Sequence, residues 1–200
     1  RLLVGLLANG HVLPEGVHPT HWTGESAIGF IRTYDRQQPF FLKVSFERPH
    51  SPYDPPRRLW DRYGGVPLPR AKIAKWAEKY APRSDRSNAI WHGDMGAEQV
   101  RASRRGYYGN VAFVDEQIGR ILGALKARGL LEETLILFIS DHGDMVGDHN
   151  LWRKAYAYEP SARIPMLMRW PKGLVSAQRG LVSDRPVEIR DVLPTLLDAA

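Results

Sequence analysis

The 200-residue chain contains no cysteine, which excludes disulfides and thiolate metal sites together. It also lacks any apolar run near the roughly 20 residues that a helix needs to cross a bilayer, so no membrane segment is expected in it. Internal repeats and low-complexity tracts are missing. No methionine and no signal-peptide pattern stand at Arg1, and the chain stops at Ala200 inside an apolar helical pattern. Both ends read as cuts, and the chain as an internal portion of a longer protein.

What is present describes a folded domain. The hydrophobic content of 43% and charged content of 25% suit one core of ordinary size. The net charge of +6, with a sequence pI near 9.7, favours anionic partners such as sulfate or phosphate esters, acidic polysaccharides, nucleic acid or a membrane surface. The basic residues (Arg57, Arg58, Arg101, Arg104, Arg105, Arg153, Lys154) are dispersed, so the charge reads first as a solvated surface. No basic helix, zinc module or aromatic-laced basic stripe is present, and nucleic acid is not an expected partner.

Patterning alternates helix and strand. Ala27, Phe30, Ile31 and Tyr34 fall at i, i+3, i+4 and i+7, which predicts a helix around Ser26. FFLKVSF (residues 40–46) reads as a buried strand, and Pro49, Pro52, Pro55 and Pro56 make the next stretch a loop. Residues 60–96 are irregular and polar, with a short helix expected near 71–80; they read as an insertion or a lid. A long helix is expected from Ala97 to Arg128, with Tyr107, Val111, Val114, Ile118, Ile121, Leu122 and Leu125 on its apolar face and Gly129 as its stop. TLILFIS (residues 134–140) reads as a strand buried on both faces of a parallel sheet, and IPMLMRW (residues 164–170) as another strand. Asp191 is the expected N-cap of a last helix carrying Leu193, Leu196 and Leu197. The class is therefore α/β, a mostly parallel sheet sandwiched by helices, in which ligands bind beyond the carboxyl ends of strands. Two strands run into chemistry there: the first into Arg48-Pro49-His50, the second into Asp141-His142.

The second of these exits opens SDHGDMVGDHNLWRK (residues 140–154). Asp141 offers a hard oxygen and His142 a nitrogen, and Gly143 permits the turn that would let both face one ion. The loop lacks the acidic alternation and terminal Glu of an EF-hand. A mixed O/N pair suits Ca, Mg, Mn or Zn alike, and two ligands are too few for any of them. On residue type alone, a turn-forming Asp and a surface His explain the pair equally well.

The wider pattern is more specific. S-D-H-G-D-M-x-G-D-H-x-L-W-x-K, followed by Tyr158-Glu159, Ser161-Ala162-Arg163 and Ile164-Pro165, resembles the second signature region of the sulfatase family, the type I arylsulfatases of the alkaline phosphatase superfamily. Tyr107-Tyr108 through Val114-Asp115-Glu116-Gln117-Ile118-Gly119 is similar to that family's helix before the site. Pro49-His50-Ser51-Pro52-Tyr53 resembles its P-H-x-P-[FY] element, and Val187 to Asp191 with Pro194-Thr195-Leu196-Leu197 resembles the segment closing its large domain. The matches keep the family's order from Thr23 onward, except across residues 60–96.

The resemblance implies a partial sulfatase catalytic domain over residues 1–200, hydrolysing sulfate monoesters of small molecules or glycans. It implies Asp141 and His142 as half of a divalent-cation site, usually calcium. It also implies Lys154 and His50 as groups that contact the sulfate or the leaving-group oxygen. Asp144, Asp148 and His149 read as loop-shaping groups, Arg163 as a brace for the loop, and Tyr107 and Tyr108 as packing aromatics. The family's nucleophile is a formylglycine made within [CS]-x-P-S-R, downstream of an Asp pair. Ser51 and Ser183 do not stand in that context, so the nucleophile and the other metal ligands are expected outside this chain, and the isolated residues are expected to be inactive. A phosphonate or phosphate ester hydrolase of the same superfamily is the enzymatic rival; Leu151-Trp152-x-Lys154 favours sulfate. A non-catalytic binder of sulfated glycans is the rival of another class. A periplasmic or secreted location is implied by the family alone.

Overall fold

Proline begins the first helix, α1 (Pro19–Thr33). Its fixed φ suits the first helical position, where no backbone donor is needed. His18 caps this helix, its Nδ1 accepting the Thr20 N–H at 3.2 Å. The edge of the same ring packs on Phe113, centroids 4.9 Å apart. The computed structural model describes residues 18–84, 91–174 and 179–200. Among these, no helix is long and apolar enough to cross a membrane.

Phe113 belongs to α3 (Gly96–Ala127), which matches the expected long helix closely. A short α2 (Arg57–Arg62) starts directly after Pro55-Pro56. Ile28 and Ile31 of α1 meet Ala124 and Leu125 of α3 and Leu130 beyond it, and these form the buried core. Gly129, at φ 68°, ends α3, and Leu130 donates back to the Leu125 carbonyl at 2.8 Å. The buried arc of α3 differs from the expected face. Phe113 and Gln117 are buried, whereas Val111 is exposed, because α1 and α2 both press on the helix and widen its buried side.

The strands differ more. Residues 40–46 form no ladder among the described residues, although Phe40 and Leu42 pack against the core. An extended segment becomes a strand only by exchanging backbone hydrogen bonds, and no neighbour supplies them there. β1 (Ile136–Ile139) and β2 (Met166–Arg169) pair with each other, antiparallel, with Phe138 opposite Leu167. β1 is not buried on both faces: Phe138 is 38% and Leu167 60% exposed.

A four-residue helix, α4 (Glu159–Ala162), precedes β2, and α5 (Val192–Ala199) comes last. Asp191 holds the N-cap position of α5, as expected, but its side chain makes no capping bond to that helix. It sits in helical conformation at the end of a 3-10 turn, and its carboxylate accepts the Glu188 N–H at 2.8 Å. Helical structure thus begins earlier than the sequence pattern suggests, in a reciprocal cap of Glu188 and Asp191.

Burial, and then the Arg48 guanidinium, lower the His18 pKa below its ordinary value of 6.5. Only the neutral ring can accept the Thr20 N–H, so this group's stabilisation is complete above the unfolded value and is lost as pH falls through the lowered folded one. His18→Asn keeps a capping acceptor and removes the titration. Its melting temperature is therefore expected to fall less than the wild type's between pH 7.5 and pH 5, as read by thermal unfolding. Equal falls would contradict the assignment.

Candidate active site

Two loops meet in front of α3. The first, after residues 40–46, is shaped by Arg48, a buried guanidinium paired with Asp54 through two hydrogen bonds of 2.8 and 3.2 Å. It lies close on α3 at Gly106, where a Cβ would come within 2.4 Å of the Tyr53 carbonyl. No larger residue leaves room for that approach. The loop presents His50, whose Nδ1 stands 2.8 Å from the Ser51 carbonyl. A carbonyl only accepts, so Nδ1 carries the proton and Nε2 keeps its lone pair.

The second loop follows β1 and carries the acidic motif. Met145, Val146, Leu151 and Trp152 are buried inside it. Its backbone closes on itself through Met145 N to Arg153 O and Gly147 N to Leu151 O, both 2.9 Å. Positive φ values at Val146, Gly147, His149, Asn150 and Arg153 make the turns. Gly143 is not among them. Its smallness serves another purpose, because a Cβ there would lie 2.1 Å from the Pro160 carbonyl, where Gly143 N donates to Ser161 O at 2.7 Å. The expectation of a glycine-permitted turn at Gly143 is thus replaced by one of close approach to α4.

Acidic residues of the motif hold this shape. Asp144 Oδ1 accepts from Val146 N at 2.9 Å and Arg153 N at 3.1 Å, and its Oδ2 accepts from Tyr53 Oη at 2.9 Å. Asp148 accepts from Lys72 N at 2.9 Å and pairs with the buried Arg104 at 2.5 Å. His149 Nδ1 accepts from Ala74 N at 3.1 Å. Arg163 braces nothing in the loop: it is exposed and pairs with Glu159 of its own helix at 3.7 Å. Burial, reinforced by Asp144, pushes the Tyr107 hydroxyl up to about 12 and raises that of Tyr53 as well. Both phenols therefore stay protonated donors.

The candidate side chains converge between the loops. Lys154 Nζ lies 2.7 Å from His50 Nε2, joining residues 104 apart in sequence. The His50 and His142 rings sit edge to face, 5.9 Å between centroids. His142 Nδ1 donates to the Gly143 carbonyl at 2.7 Å, so its Nε2 is the lone-pair nitrogen, 3.6 Å from Asp141 Oδ2. Asp141 is 85% exposed. An oxygen and a nitrogen with free lone pairs at that spacing fit two ligands of one divalent cation, whose bonds run to about 2.0–2.6 Å. Among the described residues no group of three or more His, Cys, Asp or Glu could hold an ion, so the pair alone makes no complete metal site. A cavity of about 260 Å³ lies behind the pair of loops, lined by Ser51 and Tyr53 of the first, Trp152 and Arg153 of the second, and Met95, Gln99 and Ser103.

Sequence reading left Tyr53 and Arg104 without roles. Tyr53 has a signal, an aromatic at fixed offset after His50; Arg104 has none, since its partner lies 44 residues away.

The Sulfatase family model matches residues 19–200. An arylsulfatase of Clostridium perfringens is 44% identical over 188 residues, 93% of this chain and 39% of that protein. A choline-sulfatase of Rhizobium meliloti is 36% identical over 179 residues, 83% of this chain and 32% of that protein. Among solved structures, a phosphonate monoester hydrolase of Silicibacter pomeroyi superposes with a TM-score of 0.71 at 25% identity, covering 91% of this chain and 38% of that one. This chain spans about two fifths or less of the length of each. The likeness bears out the α/β class, with this chain matching part of the superfamily's fold. On the family match and the 44% identity together, the chain belongs to the sulfatase family, within the alkaline phosphatase superfamily.

Proposed function

We propose that this chain forms one wall of the active site of a sulfuric ester hydrolase, acting on sulfate monoesters. The observation that carries the reading is the 2.7 Å contact of Lys154 Nζ with His50 Nε2 beside His142. An ammonium has three donors, and His50 occupies one; the others suit the oxygens of a tetrahedral anion. Nδ1 of His50 is committed to the Ser51 carbonyl. Nε2 is therefore the atom that accepts from Lys154 while the ring is neutral, and that exchanges a proton with the leaving-group oxygen once the ring is charged and that bond is released. Asp141 and His142 would hold a divalent cation, calcium on the family resemblance, which when bound supplies fixed positive charge against the sulfate. The nucleophile, a formylglycine, and the remaining ligands would come from polypeptide outside this chain.

A second reading, a phosphonate monoester hydrolase, rests on the likeness to the Silicibacter pomeroyi enzyme. In the full-length protein, turnover of 4-nitrophenyl sulfate is expected to exceed that of a 4-nitrophenyl phosphonate ester; the reverse order would favour the second reading.

Lys154→Ala and His50→Ala in the full-length protein are each expected to lower kcat/KM for 4-nitrophenyl sulfate by about 100-fold or more. Unchanged kinetics in both variants would reject the assignment. Asp141→Ala should lose bound metal, measured by elemental analysis, together with activity. Retained metal, or metal loss with full activity, would remove Asp141 from the site; a mere glycan-binding module would keep its affinity in this variant.

A further inference from the structure

Residues 70–83 lie on the motif loop through backbone contacts to Asp148 and His149. Lys72 N donates to Asp148 at 2.9 Å, His149 N donates to Lys72 O at 2.7 Å, and Ala74 N reaches the His149 ring at 3.1 Å. Ala77 is fully buried at this junction. Trp76, next to it, is not: it is 46% exposed, yet it packs on His149 at 4.6 Å and stacks on Tyr158 at 5.1 Å. Tyr156 stacks on Tyr158 at 6.5 Å and meets Tyr80 at 5.8 Å, and Tyr80 meets His92 at 5.9 Å. The result is a continuous aromatic strip, built from chain segments some 80 residues apart.

Cations surround it. Within residues 70–83, Arg70, Lys72, Lys75, Lys79 and Arg83 are all exposed, against the one carboxylate of Glu78, while Asp94 and Glu159 border the strip. Among the described residues none of the five makes an ion pair. Lys79 lies over the Tyr80 ring at 5.0 Å. The sequence shows no aromatic-laced basic stripe because the rings come from two places; folding assembles one.

The strip begins where the proposed ester site ends. Tyr156 follows Lys154 by two residues, at most about 7 Å of chain, and the rings that touch Trp76 flank Lys154 on both sides. Five cations without a carboxylate partner among the described residues exceed what one sulfate can neutralise, so a matching ligand carries several anions. Stacked, half-exposed rings suit flat ring faces repeated along a chain. A small cationic ester, by contrast, would be repelled.

We propose that the face formed by residues 70–83 with His149, Tyr156 and Tyr158 binds a sulfated glycan chain running outward from the ester site. The proposal rests on the sulfatase reading above and names its substrate class. Its test uses the full-length protein with heparin as the probe, binding being read by titration calorimetry, which needs no turnover. Absence of 4-nitrophenyl sulfate hydrolysis would therefore sink the sulfatase reading separately.

Lys72→Gln/Lys75→Gln/Lys79→Gln is expected to weaken heparin binding on the order of 10-fold and to flatten its salt dependence, while KM and kcat for 4-nitrophenyl sulfate stay within about twofold. Trp76→Ala should weaken heparin binding in low and high salt alike. Because the lysine side chains are exposed, the triple variant remains decisive if Trp76→Ala fails to fold. Unchanged heparin affinity in the triple variant overturns the proposal. So does a single-stranded oligonucleotide that binds as tightly as heparin, which would make the face a nucleic-acid surface.

Discussion

The carboxylate of Asp144 is the fixed point between the two loops. One oxygen accepts two backbone N–H groups of its own loop, at Val146 and Arg153; the other accepts the Tyr53 hydroxyl from the loop that carries His50. A hydrogen bond to a charged partner contributes about 1.5–3 kcal/mol when its donor is withdrawn from water. This one carboxylate therefore both closes the motif loop at Arg153, beside Lys154, and registers it against His50. Burial raises the pKa of the Tyr53 and Tyr107 hydroxyls, and the same geometry adds to the rise, since ionising either phenol would place a second negative charge beside Asp144.

Helix α3 is the floor on which the arrangement stands. Gly106 lets the first loop approach closely. Arg104, two residues earlier on the same helix, reaches Asp148, the Val146 carbonyl and the Pro69 carbonyl together. A buried guanidinium with every partner satisfied gives position more than stability, because desolvation offsets much of its Coulomb attraction. Through Arg104 and Asp148 the motif loop and the start of the 70–83 face share one anchor, which is why an aromatic and basic surface can sit at a fixed place beside the loop of Lys154.

Local chemistry was legible in the sequence, and distant pairing was not. The extent of α3 and its stop at Gly129 followed from periodicity and one left-handed glycine. Asp141, His142 and His50 stood out beyond the two expected strands and Lys154 through the family resemblance, and the fold brings the four into one place. The status of residues 40–46 as a strand was not legible, because a ladder depends on a partner and not on apolar content. The role of Gly143 was misread for a similar reason: close contact with Pro160, seventeen residues on, leaves no trace in local pattern. Arg104 and the ring stack of Trp76 on Tyr158 were invisible for the same cause, being contacts across 44 and 82 positions.

The central claim is that Asp144 acts on chemistry by holding the loop of His50 to the loop of Lys154. A double-mutant cycle of Tyr53→Phe and Asp144→Ala in the full-length protein, read as kcat/KM for 4-nitrophenyl sulfate, tests it most directly. Each single change is predicted to lower kcat/KM, and the double variant to be no worse than Asp144→Ala alone, a coupling of about 1–2 kcal/mol. Losses that multiply independently would contradict the account.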